Sequence, residues 1–162
     1  YLKANNIKID LSEFESKPNS SCGSNSINID TSCNCQTLNL ENWPIQLHLQ
    51  SPTVSYFEKA NLLLASDCSG FSFPGFRDLL KDKVLSIACP KLDSNKESYV
   101  EKIRIMIDES NLDTITVLIM EVPCCGGLVQ IARLARDSAK RKIPIKVIKI
   151  SIKGQIIEEG WL

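Results

Sequence analysis

The sequence predicts an α/β domain: a three-layer, mainly parallel sheet with flavodoxin-like or Rossmann-like alternation, plus an irregular N-terminal segment. Three observations predict it. Apolar runs of about six residues, the length of a buried strand, alternate with segments whose apolar residues recur at helical spacing. The runs are apolar along their whole length, which is typical of parallel strands covered on both faces. The length of 162 residues suits one such domain with an appended segment.

Each element follows from a local pattern. Strands are expected at 45–49, 61–68, 83–89, 114–122 and 145–152. Helical segments are expected at 56–60, at 74–81, from Ser94 to Asn111 and from Leu128 onward. The apolar faces of the two long helices are Val100, Ile103 and Ile107, and Leu128, Ile131, Leu134 and Ala135. Strands that alternate with helices imply right-handed crossovers between parallel strands.

The first part of the chain differs from the rest. It lacks apolar periodicity and is rich in Ser, Asn, Asp and Cys, so we expect residues 1–42 to be a lead-in or linker and residues 43–162 the α/β domain. A start at Tyr1 is compatible with a fragment or a processed product. No apolar run reaches about 20 residues, and no basic region precedes an apolar stretch at the start. A cytoplasmic protein is therefore expected.

The charges argue against nucleic acid or a membrane surface as a partner, because the chain has 19 basic and 19 acidic residues. One stretch, from Arg133 to Lys153, carries eight Lys or Arg against Asp137. We interpret it as a solvated helix face, with docking of an acidic partner as the alternative. The oligomeric state stays open.

Seven cysteines in a chain with no secretory signal favour metal binding or redox chemistry over a disulfide framework. Four of them end predicted strands: Cys68, Cys89, Cys124 and Cys125. Because the carboxyl ends of parallel strands meet at one edge, these thiols are expected to gather at the ligand crevice of the sheet. For any one of them, apolar packing is the alternative. Soft thiolates favour zinc or an iron–sulfur cluster, and both accept four cysteines.

The turn after the fourth strand has the residues that such a site needs. Adjacent residues of a strand point to opposite faces, so the chain must leave strand geometry if Cys124 and Cys125 are both to reach one site. Pro123 ends the sheet ladder, and Gly126 and Gly127 permit unusual backbone angles. The helix that follows would direct its positive end at an anionic group. We therefore assign Gly126 and Gly127 as cofactor-binding residues.

Other candidate residues have weaker signals. Cys22, flanked by Gly23, is a fifth candidate ligand or a resolving thiol, whereas Cys33 and Cys35 form a CxC pair that we interpret as incidental. Three carboxylates beside the thiols are candidates for proton transfer or for turn capping: Asp67, Asp93 and Glu121. His48 is interpreted as a hydrogen-bonded structural residue in mid-strand. The chain has no GxGxxG, GxxxxGK[ST], HExxH or GxSxG motif.

Four segments together resemble a known family. They are Asn-Trp-Pro-Ile-Gln-Leu at 42–47, Asp67-Cys68, Cys-Pro-Lys-Leu-Asp at 89–93 and Glu-Val-Pro-Cys-Cys-Gly-Gly at 121–127. From about Trp43 to about Gly154 the chain is similar to the C-terminal domain of ferredoxin-type iron–sulfur proteins of anaerobic bacteria. In that family a ferredoxin module with CxxCxxCxxxCP runs precedes this domain, with a segment like Cys22-Gly23-Ser24 between them, whereas this chain has no such run. The resemblance implies an iron–sulfur cluster and a ferredoxin module or another redox partner.

These observations lead to one hypothesis and two alternatives. The hypothesis is an iron–sulfur cluster, most simply [4Fe–4S], that acts in electron transfer and is held by the four strand-end cysteines, with Cys22 as the next candidate ligand. The first alternative is a redox enzyme in which an open iron or one thiolate binds a small substrate. The second is a zinc-stabilised interaction module. Whether the protein is an enzyme is left open.

Overall fold

The structure is a computed structural model that describes residues 40–162. The predictions for Cys22, Cys33 and Cys35 fall outside the described residues. The strands in this part are β1 Asn61–Ser66, β2 Val84–Ala88, β3 Thr114–Met120, β4 Ile145–Ile150 and β5 Ile156–Trp161. The helices are α1 Ser69–Ser72, α2 Phe76–Leu80, α3 Lys96–Asp108 and α4 Gly126–Ser138, with 3₁₀ turns at Ser55–Phe57 and Pro123–Cys125.

The strands form one sheet in the order β2-β1-β3-β4-β5. The first four in this order are parallel, and β5 is antiparallel to β4. The chain moves from β1 to β2 in one direction and then to β3 in the other. Right-handed crossovers therefore put α3 and α4 on one face, where they pack against each other. The predicted fold class is confirmed, and the strand order reverses between β1 and β3.

The core lies on both faces of the central strands. In β1, Leu62, Leu63 and Leu64 are all completely buried although successive side chains point to opposite faces, so the strand is covered on both sides. The buried residues of the two long helices are Tyr99, Ile103, Met106 and Ile107 in α3, and Leu128, Ile131, Ala132 and Ala135 in α4. The prediction for Leu134 is wrong, because the buried stripe passes through Ala132 and leaves Leu134 56% exposed.

The first predicted strand is replaced by a turn beside the free edge of β2. Gln46 forms a single bridge to Ile87. The Gln46 carbonyl then accepts hydrogen bonds from the N–H groups of Leu49 at 2.9 Å and Gln50 at 3.2 Å, which bends the chain away from the sheet. The strand prediction is therefore wrong, and so is the mid-strand position of His48, which is exposed in this turn.

Asn42 completes the cover of that sheet edge. Its Oδ1 accepts the N–H of Leu85 at 2.9 Å, and its Nδ2 donates to the Leu85 carbonyl at 3.0 Å, as a neighbouring strand would. Backbone groups that an edge strand leaves unpaired are satisfied in this way. Asn42, the first residue of the segment 42–47 that carries the family resemblance, therefore has a structural role in covering β2.

Two elements that were not predicted have little signal in the sequence. Strand β5 is exposed along all six residues, so it lacks the apolar pattern of a buried strand. It forms because the chain reverses at Gly154, whose φ of 79° suits glycine, and then pairs with β4. Helix α1 is only four residues long. None of the helices found in residues 40–162 is long and apolar enough to cross a membrane.

Most of the basic stretch between Arg133 and Lys153 contacts the protein itself. Arg141 donates to two backbone carbonyls, at 2.9 and 3.2 Å. Lys142 donates to three carbonyls at the end of α4, which satisfies groups that the helix leaves unpaired. Lys146 and Lys149 form ion pairs with the glutamates of β5. These contacts give most of the stretch a structural role.

Candidate functional site

The four cysteines of the described residues lie at one edge of the sheet. Cys68 follows β1, Cys89 follows β2, and Cys124 and Cys125 belong to the 3₁₀ turn after β3. Because β2, β1 and β3 are parallel neighbours about 4.8 Å apart, these residues all lie at the carboxyl ends of adjacent strands. All four are free thiols. We call these four residues the thiol edge; it includes the point where the strand order reverses.

The members of the thiol edge differ in exposure. Cys68 and Cys124 are exposed, Cys89 is half-buried, and Cys125 is buried with 5% of its surface exposed. Successive side chains of a 3₁₀ turn point about 120° apart. Cys124 therefore reaches solvent while Cys125 joins the hydrophobic core. The turn releases the chain from strand geometry, as expected, but it sends the two thiols in different directions.

Gly127 lets two of the thiol-bearing loops touch. A Cβ on Gly127 would lie 3.0 Å from the Cβ of Pro90, the residue after Cys89. A Cβ on Gly126 would meet nothing within 4 Å. Both glycines open α4, so the amino end of this helix lies at the thiol edge. Of the two glycines predicted to bind a cofactor, Gly127 is the one that a close contact requires.

The loop after β2 is closed by hydrogen bonds in both directions. The Cys89 N–H donates to Asp93 Oδ2 at 2.9 Å, and the Cys89 carbonyl accepts the Asp93 N–H at 2.9 Å. The same Oδ2 accepts the hydroxyl of Tyr99, a fully buried residue of α3, at 2.9 Å. Burial and this hydrogen bond raise the pKa of Tyr99, so the hydroxyl keeps its proton and remains a donor. Asp93 and Tyr99 thus hold the backbone that carries the Cys89 thiol.

Asp67, between β1 and Cys68, has an incomplete set of partners. Its Oδ1 is buried and has no hydrogen-bond partner in the part of the chain that the structure describes. Burial raises the pKa of Asp67, and the nearby Asp93 carboxylate raises it further, against the lowering effect of a hydrogen bond from Gln46. Two carboxyl groups therefore lie near each other beside the thiols, and the Asp67 carboxyl holds its proton to a higher pH than usual.

Glu121, the third carboxylate predicted near the thiols, caps a turn. Its Oε1 accepts the N–H of Ile152 at 2.9 Å, in the turn between β4 and β5. That turn also lies against the loop after β1, because a Cβ on Gly154 would clash with the carbonyl oxygen of Ser72. The loops at this edge of the sheet are therefore joined to one another as well as to their strands.

Sequence reasoning gave no site role to Gln46, Pro90 or Tyr99, although Gln46 and Pro90 lie in two of the segments that carry the family resemblance. The position of Tyr99, four residues before Ile103, is a signal for burial on the apolar face of α3. Its hydrogen bond to Asp93 has no local signal, because the bond joins a helix to a loop outside it. The His48 ring meets the Tyr99 ring edge-on, with 6.2 Å between the centroids.

The thiol edge is not assembled around a single metal ion. Within residues 40–162, no three or more His, Cys, Asp and Glu side chains are grouped so as to hold one. The type of ligand nevertheless suits a soft metal or a cluster, because three adjoining loops carry free thiols. Two of these thiols, Cys68 and Cys124, are exposed. Cys22, the fifth predicted ligand, lies outside the described residues.

Comparisons with known proteins place the fold. The model of the Rossmann-like domain family matches residues 54–161, which include all five strands and the thiol edge. A relative is an uncharacterized protein of Archaeoglobus fulgidus, 23% identical over 117 residues, which are 72% of this chain and 82% of that protein. No solved structure matches. Neither match indicates a ferredoxin-type iron–sulfur domain.

Proposed function

This chain belongs to the Rossmann-like domain family, and we propose that it is a redox protein whose thiol edge holds an iron–sulfur cluster, most simply [4Fe–4S], for electron transfer. One observation carries the proposal: free thiols follow three adjoining parallel strands, at the end of the sheet where the strand order reverses. Open α/β sheets bind their ligands at this position. Thiolates are the ligands that iron–sulfur clusters use.

The segments of the family resemblance support the same site. Gln46 hydrogen-bonds Asp67 next to Cys68, Pro90 contacts Gly127, and Asp93 closes the Cys89 loop. Segments that are distant in the sequence therefore meet at one edge of the sheet. Such convergence is expected of residues that build one site, so we include in the proposal the finer assignment to the ferredoxin-associated iron–sulfur domain.

When bound, an iron–sulfur cluster supplies one-electron transfer at a potential set by net charge, hydrogen bonds and exposure. The residues of this chain would do the rest. Cys68, Cys89 and Cys124 would provide thiolates, and Asp93 with Tyr99 would hold the Cys89 loop in position. The backbone N–H groups at the amino end of α4 would favour the negative charge of the site. Because the thiols are not grouped around one point, their loops would have to draw together on binding.

Anaerobic reconstitution with iron and sulfide tests the proposal. We expect about four iron and four sulfide per chain, charge-transfer absorption in the visible range and an EPR signal after reduction. Cys89→Ser should abolish all three. The matched control is the double variant Cys33→Ser and Cys35→Ser, which should keep them. Stoichiometric zinc without iron or sulfide would instead favour the zinc-stabilised module, and binding of neither metal would reject both.

The expected partner and location belong to the same proposal. We propose a ferredoxin module or another redox protein as the electron partner, and a cytoplasmic location. Free thiols support that location, because reducing compartments keep cysteines unpaired. Electron transfer from a reduced ferredoxin to the reconstituted protein, followed by absorption, tests the partner; no faster reduction than by buffer alone would contradict it.

A further inference from the structure

We propose that β5 pairs with β5 of a second copy of this chain, which joins the two five-stranded sheets into one continuous sheet about a two-fold axis. The interaction surface is the side of β5 that faces away from β4. The proposal is independent of the proposed function, because it involves the outermost strand of the sheet and none of the cysteines.

The two outermost strands, β2 and β5, differ in what covers them. On the outer side of β2, Asn42 bonds to the backbone of Leu85 and Gln46 bridges to Ile87. No residue between 40 and 162 pairs with the outer side of β5, and all six residues of this strand are exposed. An uncovered edge strand is a template for pairing with another chain. The sheet can therefore be extended at β5.

Two residues of β5 have backbone groups that point outward. The Leu162 N–H donates to the Ile145 carbonyl at 2.9 Å, so residues 145 and 162 form a hydrogen-bonded pair. Such pairs alternate along an antiparallel ladder, and the N–H and C=O groups of Glu159 and Trp161 therefore point away from β4. The register shift lies beyond Lys149, so this part of the ladder is regular. Each copy thus offers two donors and two acceptors.

A second copy of β5 matches these groups when Gly160 lies on the two-fold axis. An axis perpendicular to the sheet makes the two β5 strands antiparallel, and the contact is then self-complementary. Glu159 of each copy lies opposite Trp161 of the other, in a hydrogen-bonded pair that uses all the outward groups. Ile157 of one copy becomes the diagonal neighbour of Trp161 of the other on the same face.

The charges of β5 suit this pairing. Glu158 and Glu159 form ion pairs with Lys149 and Lys146 of the same chain, so their carboxylates are already neutralised. The Lys146 Nζ also lies 5.9 Å from the centre of the Trp161 ring. Glu159 of one copy would therefore lie beside Lys146 of the other. Like charges directly opposite each other would be destabilising, and this register has none.

The covered side of β2 explains why the assembly would stop at two copies. Pairing of β5 with β2 of the next copy would leave another β5 free each time, and the chains would continue into a filament. Asn42 and Gln46 occupy the outer side of β2 and block that arrangement. Pairing of β5 with β5 covers both copies at once, including Trp161, which is 65% exposed, and Ile157, which is 51% exposed.

Analytical ultracentrifugation of the full chain tests the dimer, with a reductant present to exclude disulfides between copies. A contact through one strand is small, so the affinity should be modest. We expect the mass to fall from that of two chains toward that of one as the protein is diluted from about 500 µM to about 1 µM. The mass of one chain at every concentration would overturn the proposal, and so would a mass above that of two chains.

Matched substitutions of the two tryptophans locate the contact. Trp161→Lys should give a monomer at about 500 µM, because a charge replaces the apolar centre of the contact. Trp43→Lys is the control, since Trp43 is 75% exposed and precedes the cover of β2 at the opposite side of the sheet. It should keep the wild-type dimer. Far-UV circular dichroism checks folding, and equal dimerisation of the two folded variants would contradict the pairing.

Amide hydrogen exchange of the wild-type protein, followed by NMR, decides the question even if a variant does not fold. The N–H groups of Glu159 and Trp161 should exchange at least about threefold more slowly at about 1 mM than at about 50 µM. The Gly160 N–H, which points toward β4 in each copy, should exchange equally at both concentrations. Rates for Glu159 and Trp161 that do not depend on concentration would overturn the proposal; if those rates are slow, a segment of the same chain covers β5 instead.

Discussion

The two ends of the parallel strands differ in how the protein surrounds a partly buried carboxylate. We call the end at which these strands begin the amino edge, opposite the thiol edge. At the amino edge, Asp108 accepts hydrogen bonds from the N–H groups of Lys140 at 2.9 Å and Arg141 at 3.1 Å, and from the side chain of Arg104 at 3.1 Å. Burial alone would raise the pKa of Asp108, but these partners outweigh it and lower the pKa. At the thiol edge, Asp67 has a buried oxygen with no partner among the described residues, and its pKa is raised.

We interpret this difference as a division within one sheet between an end that stabilises the fold and the end at which we propose ligand binding. Protein groups satisfy the carboxylate at the amino edge, where they tie the ends of α3 and α4 together. Buried polar groups are normally hydrogen-bonded, so an incomplete set calls for an explanation. At the thiol edge, Asp67 lacks a hydrogen-bond partner among the described residues for one carboxyl oxygen and lies beside free thiols and the Asp93 carboxylate. Such an arrangement is expected of a site that receives a ligand.

The largest expected loss of stability comes from removing the well-paired carboxylate at the amino edge. Asp108→Ala should lower the free energy of unfolding at pH 7 by about 2–3 kcal/mol, because two backbone N–H groups and Arg104 lose an ionised acceptor. Urea denaturation measures this loss. Since the native pKa is lowered, the stabilisation is present above the ordinary Asp value and disappears as the pH falls through the native pKa.

The difference between wild type and Asp108→Ala should therefore shrink in acid. The control is Asp113→Ala, an exposed aspartate at the same edge, which should stay within about 0.5 kcal/mol of wild type. A difference for Asp108→Ala that grows as the pH falls would contradict the assignment.

The next effect concerns the crowding of the thiol edge. Gly127→Ala should cost about 1–3 kcal/mol, because the added methyl group meets Pro90 in a well-packed contact. Gly126→Ala is the matched control, since its methyl group meets nothing within 4 Å and alanine favours a helix. Urea denaturation compares the two variants. Equal losses would show that the contact between the loops is not required.

A smaller effect is expected for the hydroxyl that holds the Cys89 loop. Tyr99→Phe removes the donor to Asp93 and should cost about 1–2 kcal/mol, since hydrogen bonds to charged groups are the stronger ones. Alkylation of Cys89 in the metal-free protein should become faster because its loop is held less firmly.

Tyr56→Phe provides the matched control for the loss of a hydroxyl. The Tyr56 hydroxyl is buried with no hydrogen-bond partner among the described residues. Its removal should be neutral or stabilising, because it relieves an unpaired buried group. A similar loss for both variants would mean that the ring environments, and not the bond to Asp93, determine the result.

The smallest effect has the opposite sign. Asp67→Asn in the metal-free protein should raise the free energy of unfolding at pH 7 by about 0.5–1 kcal/mol, because a neutral amide avoids the cost of ionising a partly buried carboxyl beside Asp93. The native pKa is raised, so wild type loses stability as the pH rises from the ordinary Asp value through the native pKa, and the variant does not. A variant less stable than wild type at pH 7 in urea denaturation would contradict this reading of Asp67.

Local patterns predicted the elements that are buried over their length. The apolar runs identified β1 to β4, and helical spacing identified α3 and α4, because burial leaves a periodic trace in the sequence. Strand β5 is exposed, so it left no such trace. The segment at 45–49 is apolar enough for a strand, but the Gln46 carbonyl accepts local hydrogen bonds and turns the chain.

From the sequence, we could predict only that the cysteines of the candidate site follow the ends of particular strands. That thiols follow β1, β2 and β3 can be read from the sequence, since each cysteine comes directly after an apolar run. That they share an edge needs only parallel strands in adjacent positions. The bonds of Tyr99 to Asp93 and of Gln46 to Asp67 join separate elements and have no local signature.

The sequence by itself determined the fold class and the edge of the sheet at which the cysteines lie, because both depend on patterns repeated along single elements. Tertiary structure alone decided which thiols face that edge. Cys124 and Cys125 are identical residues in adjacent positions, and only the 3₁₀ turn and the core beneath it distinguish them. A side chain's direction depends on what packs around it, and that packing comes from elements far away in the chain.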